Sequence, residues 1–182
     1  MSERVGDWIQ TYAGWAFYPL DPDPGPIELQ DIAHALALTC RFGGHCRYFY
    51  SVAQHSVIVS ENVPREHALQ ALLHDSAEAY MVDLPAPIKA SFPEWDAIEE
   101  RILGAILARL GAQPLPLHPS IKEADIRCLA TERRDLMNPG PKWGKWIDGF
   151  ESFEATITPW SPDYAEERFY RRFYELEGGT DE

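Results

Sequence analysis

Cysteine is scarce in this chain of 182 residues. The three present, Cys40, Cys46 and Cys128, form no CxxC pair and leave an odd count, which argues against a disulfide framework and for reduced thiols. Long apolar runs are missing as well. No stretch approaches the length of a membrane span, and Met1-Ser2-Glu3-Arg4-Val5-Gly6-Asp7 contains no apolar signal core. A cytoplasmic protein without a membrane partner is therefore expected. Positive charge is in deficit, with 16 Lys and Arg against 29 Asp and Glu and a net charge of −13. That balance argues against a nucleic-acid polymer as partner, because neutralising a phosphate backbone needs clustered cations. A small phosphorylated ligand needs only two or three local cations and remains open.

What the chain does have is an ordinary apolar fraction, 45%, enough for a sizeable core. The length suits one domain over 1–182. There are no internal repeats. Residues 1–27 read as an irregular segment that is aromatic from Trp8 to Tyr18, with a possible short hairpin near Ala16, and Asp21-Pro22-Asp23-Pro24-Gly25-Pro26 forbids helix. Residues 28–137 form the helical core. The spacing predicts helices over Glu28 to Gly43, Ser51 to Asn62, Arg65 to Tyr80, Ser91 to Leu110 and Ser120 to Met137. Ser91 with Glu94 reads as a capping box, and Gly111 as the stop of that helix. Residues 138–182 supply a Pro/Gly/Trp loop and a last helix over Pro162 to Leu176. The expected fold is all-α, a bundle of about six helices with an irregular N-terminal segment.

The pair His74-Asp75 lies in an otherwise apolar helical segment, Ala71-Leu72-Leu73-His74-Asp75-Ser76-Ala77-Glu78. Burying an imidazole and a carboxylate side by side is costly unless something offsets their desolvation, and a divalent cation does so. Helix neighbours point about 100° apart, so a shared ion needs ligands from other segments. His55 in Ser51-Val52-Ala53-Gln54-His55 and Asp125 in Lys122-Glu123-Ala124-Asp125 continue the apolar faces of their own helices. Two imidazoles and two carboxylates suit Mn, Co, Fe, Zn or Mg without choosing among them. For a lone inward Asp such as Asp125 a buried salt bridge is the favoured reading; four such residues in this order shift the balance toward a metal site.

The order His55, His74-Asp75, Asp125 on successive helices resembles the HD-domain metal-dependent phosphohydrolases. The blocks Val52-Ala53-Gln54-His55-Ser56, Leu72 to Glu78, Asp83-Leu84-Pro85-Ala86-Pro87-Ile88-Lys89 and Lys122 to Asp125 resemble the branch with 5′-deoxynucleotidases and phage dATP triphosphohydrolases. The likeness spans Asp31 to Glu132. It implies an HD-domain bundle in which His55, His74, Asp75 and Asp125 hold a divalent metal. It further implies that Glu78 handles the attacking water and Asp83 serves as a second acid. Arg41, Phe42 and Lys89 would bind substrate, Arg41 by the bidentate fork phosphate prefers, Phe42 by stacking, Lys89 on a phosphate tail. Arg47 is a third candidate cation. Phe at 42 departs from members with Trp and leaves base preference open.

The implied activity is cleavage of the 5′-phosphoester of a nucleotide, releasing nucleoside with phosphate or tripolyphosphate. Assembly into an oligomer of identical chains is implied by similarity alone. Rival readings are a hydrolase of another small phosphoester, a di-iron oxygenase, a metal- or nucleotide-binding regulatory module without turnover, and a scaffold with a buried salt-bridge cluster. His34 and His67 read as structural or surface residues and His118 as loop surface. His45, beside Arg41, is the spare histidine able to touch substrate.

Overall fold

A computed structural model describes residues 4–144, 147 and 149–178. The expected N-terminal segment, the Asn138 to Gly149 loop and the C-terminal portion each include positions outside the described residues. The chain is mostly helical, as its periodicity predicts. The hairpin near Ala16 is present: β1 (Ile9–Gln10) pairs antiparallel with β2 (Ala16–Phe17), Ile9 opposite Phe17. It feeds Phe17 into the core, stacked on Tyr80 at 4.0 Å.

The central element is α2 (Val52–Glu61), which packs against α1 (Leu29–Leu38), α3 (Ala68–Leu72), α7 (Pro119–Leu136) and α8 (Pro162–Glu177). A helix enclosed on several sides must be covered nearly all round. Accordingly Val52, Ala53, Gln54, His55, Ser56, Val57, Val59 and Ser60 are all buried. Ser51 caps its start, its hydroxyl accepting from the Gln54 amide at 3.1 Å. Gln54 donates to Thr158 O and accepts from Trp160 N, both at 2.9 Å, which fastens the approach to α8 onto α2. The α8 helix buries Ala165, Phe169 and Phe173 at helical spacing.

The helix expected over Glu28 to Gly43 stops at Leu38. Beyond it Cys40 bridges Ser51, Arg41 N donates to Tyr50 O at 2.9 Å, and Val52 N donates to Thr39 O at 3.0 Å. This pairing replaces helical turns with a closed loop. A 3₁₀ turn, Arg41–Gly44, follows, with Phe42 at φ +59° and Gly43 at φ +58°. Left-handed backbone is uncommon for an aromatic residue.

The segment expected as one helix from Arg65 to Tyr80 is divided into a 3₁₀ turn (Arg65–His67), α3 and α4 (Glu78–Met81). His74 Nδ1 takes the Ala71 carbonyl at 2.7 Å, and Ser76 Oγ takes the Leu73 carbonyl at 2.6 Å. In a continuous α-helix those carbonyls would accept from Asp75 and Ala77 amides. The amides of Ser76, Glu78, Ala79 and Tyr80 instead bond three residues back, so the backbone tightens at His74-Asp75. This division and the added α5 (Ala86–Lys89) raise the expected six helices to eight among the described residues.

The Ser91/Glu94 capping box does not form. The N-cap of α6 (Pro93–Arg109) is Phe92, because Ser91 belongs to the turn after α5, its amide on Ile88 O at 2.9 Å. The stop is as predicted, with Gly111 at φ +69° and Ala112 N on Leu107 O at 3.0 Å. Gln70, buried on α3, donates to the carbonyls of Gln113, Pro114 and Pro116 and accepts from His118 N. One side chain thereby shapes the loop from α6 to α7. No described helix is long and apolar enough to cross a membrane.

Phe169 has no solvent exposure and lies in the cluster shared by α1, α2 and α8. Phe169→Ala should destabilise the fold by about 3–5 kcal/mol, read as a lowered urea midpoint with an unchanged slope.

Candidate metal centre

The tightened turn after α3 and the enclosed α2 bring two imidazoles together, their ring centroids 5.3 Å apart. The tautomer of each is set by its outer nitrogen. His74 Nδ1 faces the Ala71 carbonyl, which only accepts, so this nitrogen carries the proton. His55 Nδ1 faces the Glu132 carboxylate at 2.7 Å and donates to it. Each ring thus turns Nε2 toward Asp75 Oδ2. Both Nε2 atoms are buried and lack a hydrogen-bond partner. Carboxylate oxygens stand nearby, Asp125 Oδ1 at 3.4 Å and Asp75 Oδ2 at 3.5 Å from His55, and Asp75 Oδ2 at 3.2 Å from His74, but out of line for an N–H donor.

Donor atoms of His55, His74 and Asp125 all lie within 4.8 Å of one another, so the three could hold a metal ion. A ligating histidine commonly donates its other N–H to a carboxylate or carbonyl, and both rings do so here. The donor set fits a divalent cation. A second trio, His55, Cys128 and Glu132, is also close enough. Its members already bond each other, with Cys128 Sγ on Glu132 at 3.5 Å and His55 Nδ1 on the same oxygen; that leaves its donor atoms engaged.

The charges around the centre interlock. Burial opposes ionisation of Asp75 and Asp125, yet the imidazoles beside them outweigh it and hold both below the usual carboxylate range. Burial likewise opposes the charge on Arg41, but Glu132 and Asp75 hold its guanidinium firmly protonated. Glu132 is pulled down to about 2 by Arg41 and His55 against its own burial. Glu78 is shifted the other way: burial, then Asp75 and Asp83, push its carboxyl well up, and one of its oxygens is buried without a partner. Burial also raises Asp83, opposed by Arg41.

Of the residues singled out in the sequence, the structure gathers His55, His74, Asp75, Asp125 and Arg41 at one point, with Glu78 and Asp83 close enough to feel their charge. Arg41 is buried, its Nη1 3.4 Å from Asp75 and its Nη2 3.4 Å from Glu132. Phe42 is half-buried, its ring 5.9 Å from Trp143. Lys89 is engaged elsewhere, paired with Glu99 and Asp96 on α6. Arg47 is tied to the end of α7, on Asp135 O. His34 pairs with Glu166 at 3.0 Å under Tyr12, and His67 stacks on His118 at 3.6 Å. His45 is exposed.

His118 is more than loop surface, since it caps α7 and lines the cavity beside the metal residues. That cavity of ≈ 650 Å³ runs from His74, Asp75 and Asp125 along Leu103, Leu115 and Ile121. Glu132 was given no role from the sequence. Its position seven residues after Asp125, on the same face two turns on, was the available signal.

Addition of Mn²⁺ or Co²⁺ should raise the melting temperature. At a hundredfold excess over Kd the gain is about 2.7 kcal/mol, or about 5–10 °C for a chain of this size. His55→Ala or Asp125→Ala should abolish the shift in a thermal-melt series. The shift should also shrink in acid, because imidazole ligates only when unprotonated.

No protein-family model matches the chain. It is 36% identical over 131 residues to an uncharacterized protein of Rhodobacter capsulatus, covering 65% of this chain and 67% of that one. It is 41% identical over 171 residues to the uncharacterized protein YfdR of Escherichia coli (strain K12), covering 93% of this chain and 95% of YfdR. At that identity over nearly the full length of both proteins, the chain belongs to the family of YfdR.

Proposed function

We propose that the protein is a metal-dependent phosphohydrolase of the HD-domain type that cleaves the 5′-phosphoester of nucleotides. The observation that carries this reading is the pair of buried, unpartnered Nε2 atoms of His55 and His74 beside the carboxylates of Asp75 and Asp125. In this reading those four residues hold the cation. When bound, a divalent metal supplies Lewis-acid polarisation of a phosphoryl oxygen and lowers the pKa of a water.

The remaining work falls to the chain's own groups. Arg41 keeps its charge despite burial, and offsets charge that grows on the phosphoryl oxygens as phosphorus is attacked. Glu78 has a lifted pKa and an unpartnered oxygen, which suits a carboxyl that exchanges a proton with water. Water adds to phosphorus, the P–O5′ bond breaks, and the nucleoside leaves as its 5′-alcohol. Asp83, also raised, is the acid that protonates the leaving oxygen. The largely apolar cavity between α6 and α7 is of a size that takes a nucleoside. A monophosphate gives nucleoside and phosphate, and a triphosphate cut at the α-phosphorus gives nucleoside and tripolyphosphate. Engagement of Lys89 by Glu99 and Asp96 favours the monophosphate, since a longer anionic tail would have to draw that lysine away.

The test is incubation of metal-supplemented protein with deoxy- and ribonucleoside mono- and triphosphates, followed by chromatography. Nucleoside release is expected, together with a kcat loss of about 10²–10⁴-fold in Glu78→Gln and unchanged metal content. No release from any nucleotide under Mn, Co, Mg or Zn contradicts the reading.

A further inference from the structure

Glu132 has no solvent exposure, and nothing in the proposed chemistry uses it. Burying a carboxylate so completely requires several donors. They come from three separate places in the chain. His55 on α2 donates through Nδ1 at 2.7 Å, Arg41 in the turn after α1 through Nη2 at 3.4 Å, and Cys128, one turn back on α7, through Sγ at 3.5 Å.

The two oxygens divide this work. Oε1 accepts from His55 and Cys128, while Oε2 accepts from Arg41. His55 then has only Nε2 left to present to His74 and Asp125. Arg41 is anchored at both ends of its guanidinium, with Nη1 on Asp75 at 3.4 Å. Its backbone is pinned by the hydrogen bond that its amide donates to Tyr50 O. Through one carboxylate, the orientation of a metal-facing imidazole is tied to the placement of the buried cation beside it.

We propose that Glu132 is a positioning residue that couples metal binding at His55 to phosphate binding at Arg41, a role that rests on the phosphohydrolase reading for its substrate arm. Glu132 fixes the His55 ring with Nε2 inward, and its second oxygen holds the Arg41 fork where a phosphoryl group would meet it. Loss of the acceptor for His55 frees the imidazole to rotate or change tautomer. Loss of the negative charge alone spares the imidazole and releases the arginine. Ordinary core packing would separate neither effect from the other.

Two substitutions in the full-length chain divide these functions. In E132Q the amide oxygen still accepts from His55 Nδ1, but its NH₂ meets another donor at Arg41. In E132A both contacts go. Calorimetric titration with Mn²⁺ should show near-parent affinity for E132Q and a loss of about 10–100-fold for E132A. The KM for the best nucleotide should rise about tenfold or more in E132Q, and kcat should fall with it, because the released Arg41 also meets the charge that grows during attack. The His55 Nδ1 proton in ¹H–¹⁵N spectra should persist in E132Q and vanish in E132A.

If E132A does not fold, as judged by circular dichroism, the KM and the proton signal of E132Q decide the matter. If the parent turns over no nucleotide, the functional reading fails by itself. The affinity of inorganic phosphate for parent and E132Q then replaces KM, and the metal arm is unaffected. Parent-level metal affinity in E132A, or parent-level KM or phosphate affinity in E132Q, overturns the proposal. A parent that binds no divalent ion overturns it together with the functional reading.

Discussion

Two imidazole Nε2 atoms, buried beside the carboxylates of Asp75 and Asp125 without a hydrogen-bond partner, are the constraint around which the site is organised. Each ring donates its Nδ1–H away from the centre, His74 to the Ala71 carbonyl and His55 to Glu132. Without a cation these nitrogens and the carboxylates of Asp75 and Asp125 share a poorly solvated space with their hydrogen bonding incomplete, an expensive arrangement. A divalent ion converts the same four groups into ligands and removes the penalty. The fold serves this arrangement directly. The α2 helix is enclosed so that His55 is held rigidly, and the backbone leaves regular helix at residues 73–77 so that His74 and Asp75 both face inward.

Around the donors lies an alternation of charge that no single pair explains. Arg41 stands between Asp75 and Glu132, Glu132 between Arg41 and His55, and His55 between Glu132 and Asp125. Buried ions in such a chain are individually costly and gain from being mutually satisfied. Substitution of any one member leaves its neighbours uncompensated. Glu78 and Asp83 remain outside this alternation, and burial together with the neighbouring charge of Asp75 keeps their carboxyls raised against the pull of Arg41.

Much of the helical architecture was legible in apolar spacing, because α2, α6, α7 and α8 each bury a stripe or nearly a whole surface. Asp125 and Glu132 could be assigned to the inward face of α7 by the same periodicity. The break at His74 could not, since it arises when two side chains take carbonyls that the backbone would otherwise use. Nor could the early end of α1, which depends on Cys40 pairing with Ser51 eleven residues later. Lys89 illustrates another limit: a basic residue beside a proline-rich loop reads as a free cation until Glu99 and Asp96, on the next helix, are seen to hold it. The reach of Glu132 to both His55 and Arg41 joins residues from three parts of the chain, and no local pattern encodes it.

The central claim is that the two Nε2 atoms face a metal position. Anomalous diffraction from crystals grown with Mn²⁺ or Co²⁺, recorded on both sides of the metal's absorption edge, tests this most directly. The account predicts one edge-dependent peak between His55 Nε2 and His74 Nε2, within coordination distance of Asp125 and of about 2.0–2.2 Å from the nitrogens. A map without a peak there, with His55 or His74 turned to give Nε2 a hydrogen bond of its own, would contradict it.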